Sequence, residues 1–137
     1  MWCGSPVRTI DVTARRDITD AEDVRGLVAS FYERITIDPL IGHFFTHLDL
    51  ASHLPRVEAF WRMVLFGDRS YQGDPMTAHI RLDARHRMEQ VHFDRWLREW
   101  EASVDALFSG PLAGMAKERA RTIAPVMLHK VMQARSR

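Results

Sequence analysis

The chain has 137 residues, 46% of them hydrophobic, and carries 19 basic residues against 18 acidic ones for a formal net charge of +1. That length fits one domain whose core buries roughly two-thirds of the surface the unfolded chain exposes, and the ordinary apolar content excludes disorder over most of the chain. The basic residues, nearly all Arg, are interleaved with Asp and Glu, so no basic stripe marks a nucleic-acid partner.

Residues 1–18 read as a tail or extended lead-in to a domain over residues 19–133. They hold Cys3, the single cysteine, so no internal disulfide can form and a reducing compartment fits best. MWCGSPVRTIDVTARR lacks the unbroken apolar run of a secretory signal. No stretch approaches the ~20 apolar residues a bilayer span needs. The expectation is a cytoplasmic protein without a membrane span.

Thr19 and Glu22 have the spacing of a capping box. Val24, Leu27, Val28, Phe31, Tyr32 and Ile35 follow with a period near 3.6, which predicts the first long helix. Asp38-Pro39 ends it, because the residue before proline is pushed out of the α region. LIGHFF, residues 40–45, predicts one or two short turns. Leu50, Leu54, Val57, Trp61, Val64 and Leu65 mark a second long helix. Pro55 is tolerated only near a helix start, which places that start near Ser52 or requires a kink.

GDRSYQGDP, residues 67–75, has two Gly and a Pro and reads as a loop. Residues 75–87 predict a short, mostly polar helix presenting Met76, His79, Ile80 and Leu82 to the interior. Phe93, Trp96, Leu97, Trp100, Val104 and Phe108 predict the next helix. Ser109-Gly110-Pro111 ends it, and residues 112–133 form a last helix with a kink at Pro125. No segment alternates with period two, so the fold class is all-α.

The stretch HIRLDARHRMEQVHF, residues 79–93, holds three histidines. His79 and His86 share a helix face but lie two turns apart, about 10 Å along the axis, so they cannot grip one ion together. His86, between Arg85 and Arg87, is expected to face water, as is His92 at the start of the following helix. A lone histidine suffices when the metal arrives with its other donors in place, as in haem, whose iron takes an axial imidazole. Phe31, Phe44, Phe45, Phe60, Trp61, Phe93 and Trp96 could line the apolar slot that haem requires. The other reading of His79 is a helix histidine hydrogen-bonded to a neighbour. His43 and His47 have the i, i+4 spacing of a zinc pair, but no third and fourth ligand is evident and no Glu lies between them to make HExxH. His53 falls on the apolar face of the second helix or caps its start.

Five pieces then occur in order: FY in the first helix, DPLIGHFF, HLPRVEAFW, YQGDPMTAH and HFDRWL. Together they resemble the truncated haemoglobins, most of all group III, over about residues 19 to 131. The paired glycines of some truncated globins are missing, with single glycines at 42, 67 and 73, which group III tolerates. The resemblance implies a truncated globin fold, a 2-on-2 helical sandwich around a haem pocket. It makes His79 the proximal ligand of a haem b iron and packs Phe45 on the haem face. Tyr32, His53 and Trp96 become the distal polar groups, and Val57, Phe60 and Trp61 line the same cavity with Phe31, Phe44, Met76 and Phe93. Tyr71, Arg81 and Arg85 are the candidates for the haem propionates.

The ligands so implied are dioxygen and other diatomic gases such as CO or NO. Two distal hydrogen bonds hold a polarised gas more tightly than delivery requires, which points to NO detoxification or peroxidase-like chemistry fed by an unidentified reductase. His53 could hydrogen-bond the gas, gate its entry or bind the iron itself. The alternatives are a haem-based gas sensor, for which no signalling domain is seen, and a cofactor-free helical module that regulates or binds protein or nucleic acid. The sequence sets neither the oligomeric state nor the physiological ligand.

Overall fold

A computed structural model describes residues 15–135. The expectations for Cys3 and the first fourteen residues lie outside the described residues. In chain order come α1 (Ala21–Ile35), a 3₁₀ turn (Gly42–Phe45), α2 (Leu50–Phe66), α3 (Pro75–Arg85), α4 (Gln90–Leu107) and α5 (Pro111–Arg135). No strand occurs among the described residues, and none of these helices is long and apolar enough to cross a membrane. α1 packs on α2 and α4, α4 on α5, and α5 on α2 and α3, so one helix pair is layered over another.

α1 begins one residue later than its sequence suggests. Asp20, not Thr19, is the N-cap, and its carboxylate accepts from Asp23 N–H. Thr19 instead donates its N–H and hydroxyl to Asp23, at 2.8 and 3.0 Å. Arg16 donates to the same carboxylate, so the nearly buried Asp23 is held ionised with its pKa far below the usual carboxylate range, chiefly by that guanidinium. The residues just ahead of α1 are packed: Ile18 is 1% exposed. Asp17 accepts from the N–H groups of Leu112 and Ala113 at 2.9 and 2.8 Å, satisfying free donors at the start of α5. Gly110 makes room for it. Its φ is +145° and a Cβ there would lie 2.5 Å from Asp17 Cγ.

α2 starts at Leu50 rather than near Ser52, because Asp49 caps it by accepting from Ala51 N–H. Pro55 therefore sits inside the second turn, where it leaves one carbonyl without its helical donor. Gly67 closes the helix in the left-handed region, φ 74°, donating to Arg62 O and Met63 O.

α3 stops at Arg85, two residues short of the expected end, with His86 as C-cap. None of its residues is buried, so hydrophobic packing alone does not hold it. Its C-terminal end is fixed by Asp83, which accepts from Met88 N–H at 2.8 Å and takes two bonds from Arg135 of α5. At its other end Asp74 caps it through Thr77 N–H and hydroxyl.

Candidate functional site

The helices enclose a cavity of about 720 Å³, lined from α1, α2, α3, α4, α5 and the 3₁₀ turn. That volume lies within the range of pockets that bury a sizeable organic ligand.

His79 stands one turn into α3, half-buried, with its ring on the cavity wall. Its Nδ1 lies 2.6 Å from Pro75 O. A carbonyl can only accept, so Nδ1 carries the proton and Nε2 keeps its lone pair. Burial lowers the pKa of the ring, outweighing the opposing pull of the Pro75 carbonyl, and keeps it neutral. A neutral imidazole whose orientation is fixed by a hydrogen bond at the other nitrogen is the form a metal ligand takes. The Phe93 ring lies 6.4 Å away, tilted 32° to it.

On another wall, Tyr32 of α1 is 7% exposed and its hydroxyl lies 2.8 Å from Nε2 of His53 on α2. Burial pushes the phenol well above its ordinary pKa, so it stays protonated. Burial also lowers the pKa of His53, helped by the charge of Arg56 and by His79. Two neutral groups thus share this bond, with two arrangements: Tyr32 donates to a bare Nε2, or Nε2–H donates to the tyrosine oxygen. The second frees the phenolic proton for another acceptor.

Trp96 lies edge-on to Phe31 at 5.8 Å and parallel to Trp100 at 6.5 Å. Its indole N–H has no protein acceptor among the described residues.

Of the residues expected to line a pocket, Phe31, Phe44, Phe45, Val57, Phe60, Trp61, Tyr71, Arg81 and Phe93 do so, as does Arg85. Met76 does not. It packs half-buried against the core, off the cavity wall. Arg56, Met88, His92, Ile123 and Met127 line the cavity without having been anticipated. Arg56 was accessible to sequence reasoning, being one turn beyond His53 on the same helix face. Ile123 and Met127 arrive from α5, and no local signal carries that.

The expectations for His86 and His92 need correction. His86 and His92 do not face open water: both are half-buried, their rings edge-on to His43 at 5.6 and 6.0 Å and to Phe44 at 6.1 and 5.0 Å. His92 Nδ1 accepts from Glu89 N–H at 2.9 Å, completing a capping box at the start of α4, and this turn carries the ring to the cavity. His43 and His47 do not share an α-helix, since the 3₁₀ turn ends at Phe45. Among the described residues no group of three or more His, Cys, Asp or Glu side chains could hold a metal ion. A metal held by these residues would therefore bring donors of its own.

The cavity rim bears charge. Arg56, Arg81 and Arg85 are exposed there against one carboxylate, Asp74, which is already engaged by Thr77. An apolar slot with a cationic rim and one free imidazole nitrogen suits a flat apolar ring system that brings its own metal donors and carries two carboxylates, which describes haem.

Comparison with known proteins agrees. Residues 16–129 match the family model described as bacterial-like globin. The chain is 26% identical over 109 residues to the group 3 truncated hemoglobin ctb of Campylobacter jejuni, covering 75% of this chain and 84% of that one. It is 37% identical over 68 residues to the group 1 truncated hemoglobin GlbN of Synechocystis, covering 49% of this chain and 55% of that one. The crystal structure of the group III truncated hemoglobin from Campylobacter jejuni superposes with a TM-score of 0.75 at 23% identity, over 85% of this chain and 94% of that one. The structure of Chlamydomonas reinhardtii THB1 gives 0.63 at 26% identity, over 77% and 87%. A family match across most of the chain, on an all-α fold with this cavity, establishes that the protein belongs to the bacterial-like globins and is similar to the group III truncated haemoglobins.

Proposed function

We propose that the protein binds haem b through His79 and holds dioxygen, CO or NO on the side of the iron that faces Tyr32, His53 and Trp96. The observation that carries this reading is the His79 imidazole, its proton committed to Pro75 O and its other nitrogen free beside a cavity walled by the Tyr32–His53 pair. When bound, haem would supply an iron able to take up a diatomic gas. With Cys3 as its single cysteine, the chain has no CxxCH motif for the linkage of c-type haem. Arg56, Arg81, Arg85 and Tyr71, which line the cavity, would meet the haem carboxylates.

The chain's own residues set what happens to the gas. His79, neutral and oriented, donates from Nε2. The Tyr32 hydroxyl and the Trp96 N–H would offer two hydrogen-bond donors to a gas held in the cavity, and His53 would set through its tautomer whether the tyrosine proton is free. The apolar wall of Phe45, Val57, Phe60 and Trp61 excludes water and strengthens these bonds. Each bond is worth ~1 to 1.5 kcal/mol, roughly a tenfold slowing of gas release. Two such bonds favour retention and reaction over delivery, which supports NO detoxification or peroxidase-like turnover in the cytoplasm with electrons from a reductase.

Absorption spectra of the purified protein, oxidised, reduced and reduced with CO, test the reading. A Soret band that shifts on reduction and again with CO is expected. A colourless protein that stays colourless after titration with haem overturns it.

A further inference from the structure

Arg56 lines the cavity one turn beyond His53 on the same face of α2, and no carboxylate among the described residues pairs with it. The sequence explains why: its helical neighbours three and four positions away are Ser52, His53, Ala59 and Phe60, none of them acidic. Arg16, Arg62, Arg95 and Arg135, by contrast, each have a carboxylate partner. We propose that Arg56, with the donor groups of Tyr32, His53 and Trp96, forms a subsite in the cavity for a small monovalent inorganic anion, a ligand class distinct from the neutral gases. The inference rests on the haem reading above, since the anion enters the same end of the cavity as the gas.

The groups facing this end of the cavity have one polarity. Arg56 brings five N–H donors and a fixed positive charge, and the Trp96 indole is a donor only. Tyr32 has its hydroxyl proton to give when His53 Nε2–H donates to it. The one carboxylate on the cavity wall, Asp74, is already engaged by Thr77 on α3. The charge of Arg56 also reaches inward: it acts on the half-buried His53 ring, where after burial it is the main force against a second positive charge. The same field favours a negative charge at that place.

Charge then separates the two classes of ligand. A neutral diatomic gas gains from the hydrogen bonds but has no net charge for Arg56 to attract, whereas an anion gains from both. The apolar side chains of Val57 and Phe60, which line the cavity from the same helix, limit screening of that attraction by water. Haem does not exhaust the guanidinium. A carboxylate takes two of its five donors in the bidentate arrangement, and Arg81, Arg85 and Tyr71 share the haem carboxylates with it.

Azide is the probe: it is a small monovalent anion, and its uptake by the ferric, haem-loaded protein is read from the Soret band. Association of azide is compared with that of CO to the ferrous protein. In Arg56→Gln the ratio of azide to CO association is expected to fall about tenfold, and Arg56→Lys, which keeps the charge, is expected to restore most of it. Arg119→Gln removes the same charge from α5, off the cavity wall, and is expected to leave the ratio unchanged. A ratio unaltered in Arg56→Gln, or lowered as much in Arg119→Gln, overturns the subsite. Should Arg56→Gln fail to keep haem, the unsubstituted protein decides. Azide association that slows with rising salt more steeply than that of CO supports the subsite, and azide association no more salt-dependent than that of CO overturns it. A protein that binds no haem overturns the reading of the cavity as well.

Discussion

Tyr32 and His53 stand 21 positions apart on different helices and meet at 2.8 Å inside the cavity, each held neutral by its burial. The pair is a proton-sharing unit whose tautomer answers to what else is bound. An acceptor beside the phenol selects the arrangement in which His53 donates to Tyr32 and Tyr32 donates to the acceptor.

Tyr32→Phe removes one of the two donors and is expected to speed dioxygen dissociation roughly tenfold, the effect of one net hydrogen bond. Trp96→Phe should act in the same direction. Stopped-flow measurement of dioxygen release from the ferrous protein checks both, and rates unchanged in both variants would exclude these side chains as donors to the gas.

His79→Gly deletes the imidazole while leaving the cap of α3 at Asp74 and Thr77 in place. The variant is expected to lose the spectrum of a histidine-ligated haem and to regain it when free imidazole is added. A spectrum that the substitution does not change would remove His79 from the iron.

Asp83→Ala leaves Arg135 without its carboxylate at a site where the two side chains are 19% and 9% exposed, Arg135 and Asp83 respectively. Removing one partner of a largely buried pair costs ~3 kcal/mol, and α3 has no buried residue to compensate. Urea unfolding should show the loss. The same variant is expected to bind haem more weakly, since α3 carries His79.

His53 and His92 both have pKa values lowered by burial. The unfolded chain therefore binds protons that the folded chain refuses, and stability is full above about pH 6.5 and falls as the pH drops below it. At His92 the penalty has a local form, because protonating Nδ1 breaks its bond from Glu89 N–H. Thermal unfolding followed from about pH 7.5 down to about pH 5 should show a falling midpoint. His92→Gln keeps an acceptor for the capping box without the titration and should flatten that slope. An unaltered slope in this variant would place the pH response elsewhere.

Helix content and order were legible in the sequence because each buried face repeats its apolar residues at the helical period. Val24, Leu27, Val28, Phe31 and Ile35 form such a face, and every one of them is buried. His79, Tyr32, His53 and Trp96 could be placed on helices, and their order and spacing carried the family resemblance. Helix ends were less legible. Several side chains near each start can cap, and the choice of Asp20 over Thr19 or of Asp49 over Ser52 depends on which carboxylate the folded chain orients.

The sequence alone therefore determined the class of fold and which residues are available for chemistry, since periodicity and residue type are local properties. Tertiary structure decided which of them meet. Asp17 reaches the start of α5 across 95 positions, Arg135 ties down the helix of the candidate iron ligand from the far end of the chain, and Trp61 is laid on Trp100 from another helix. Met76 shows the same limit from the other side: its apolar character predicted burial, but only the rotation of α3 determined that it would pack into the core and not the cavity wall. Such pairings depend on how helices rotate and cross when their surfaces interlock, which no run of neighbouring residues encodes.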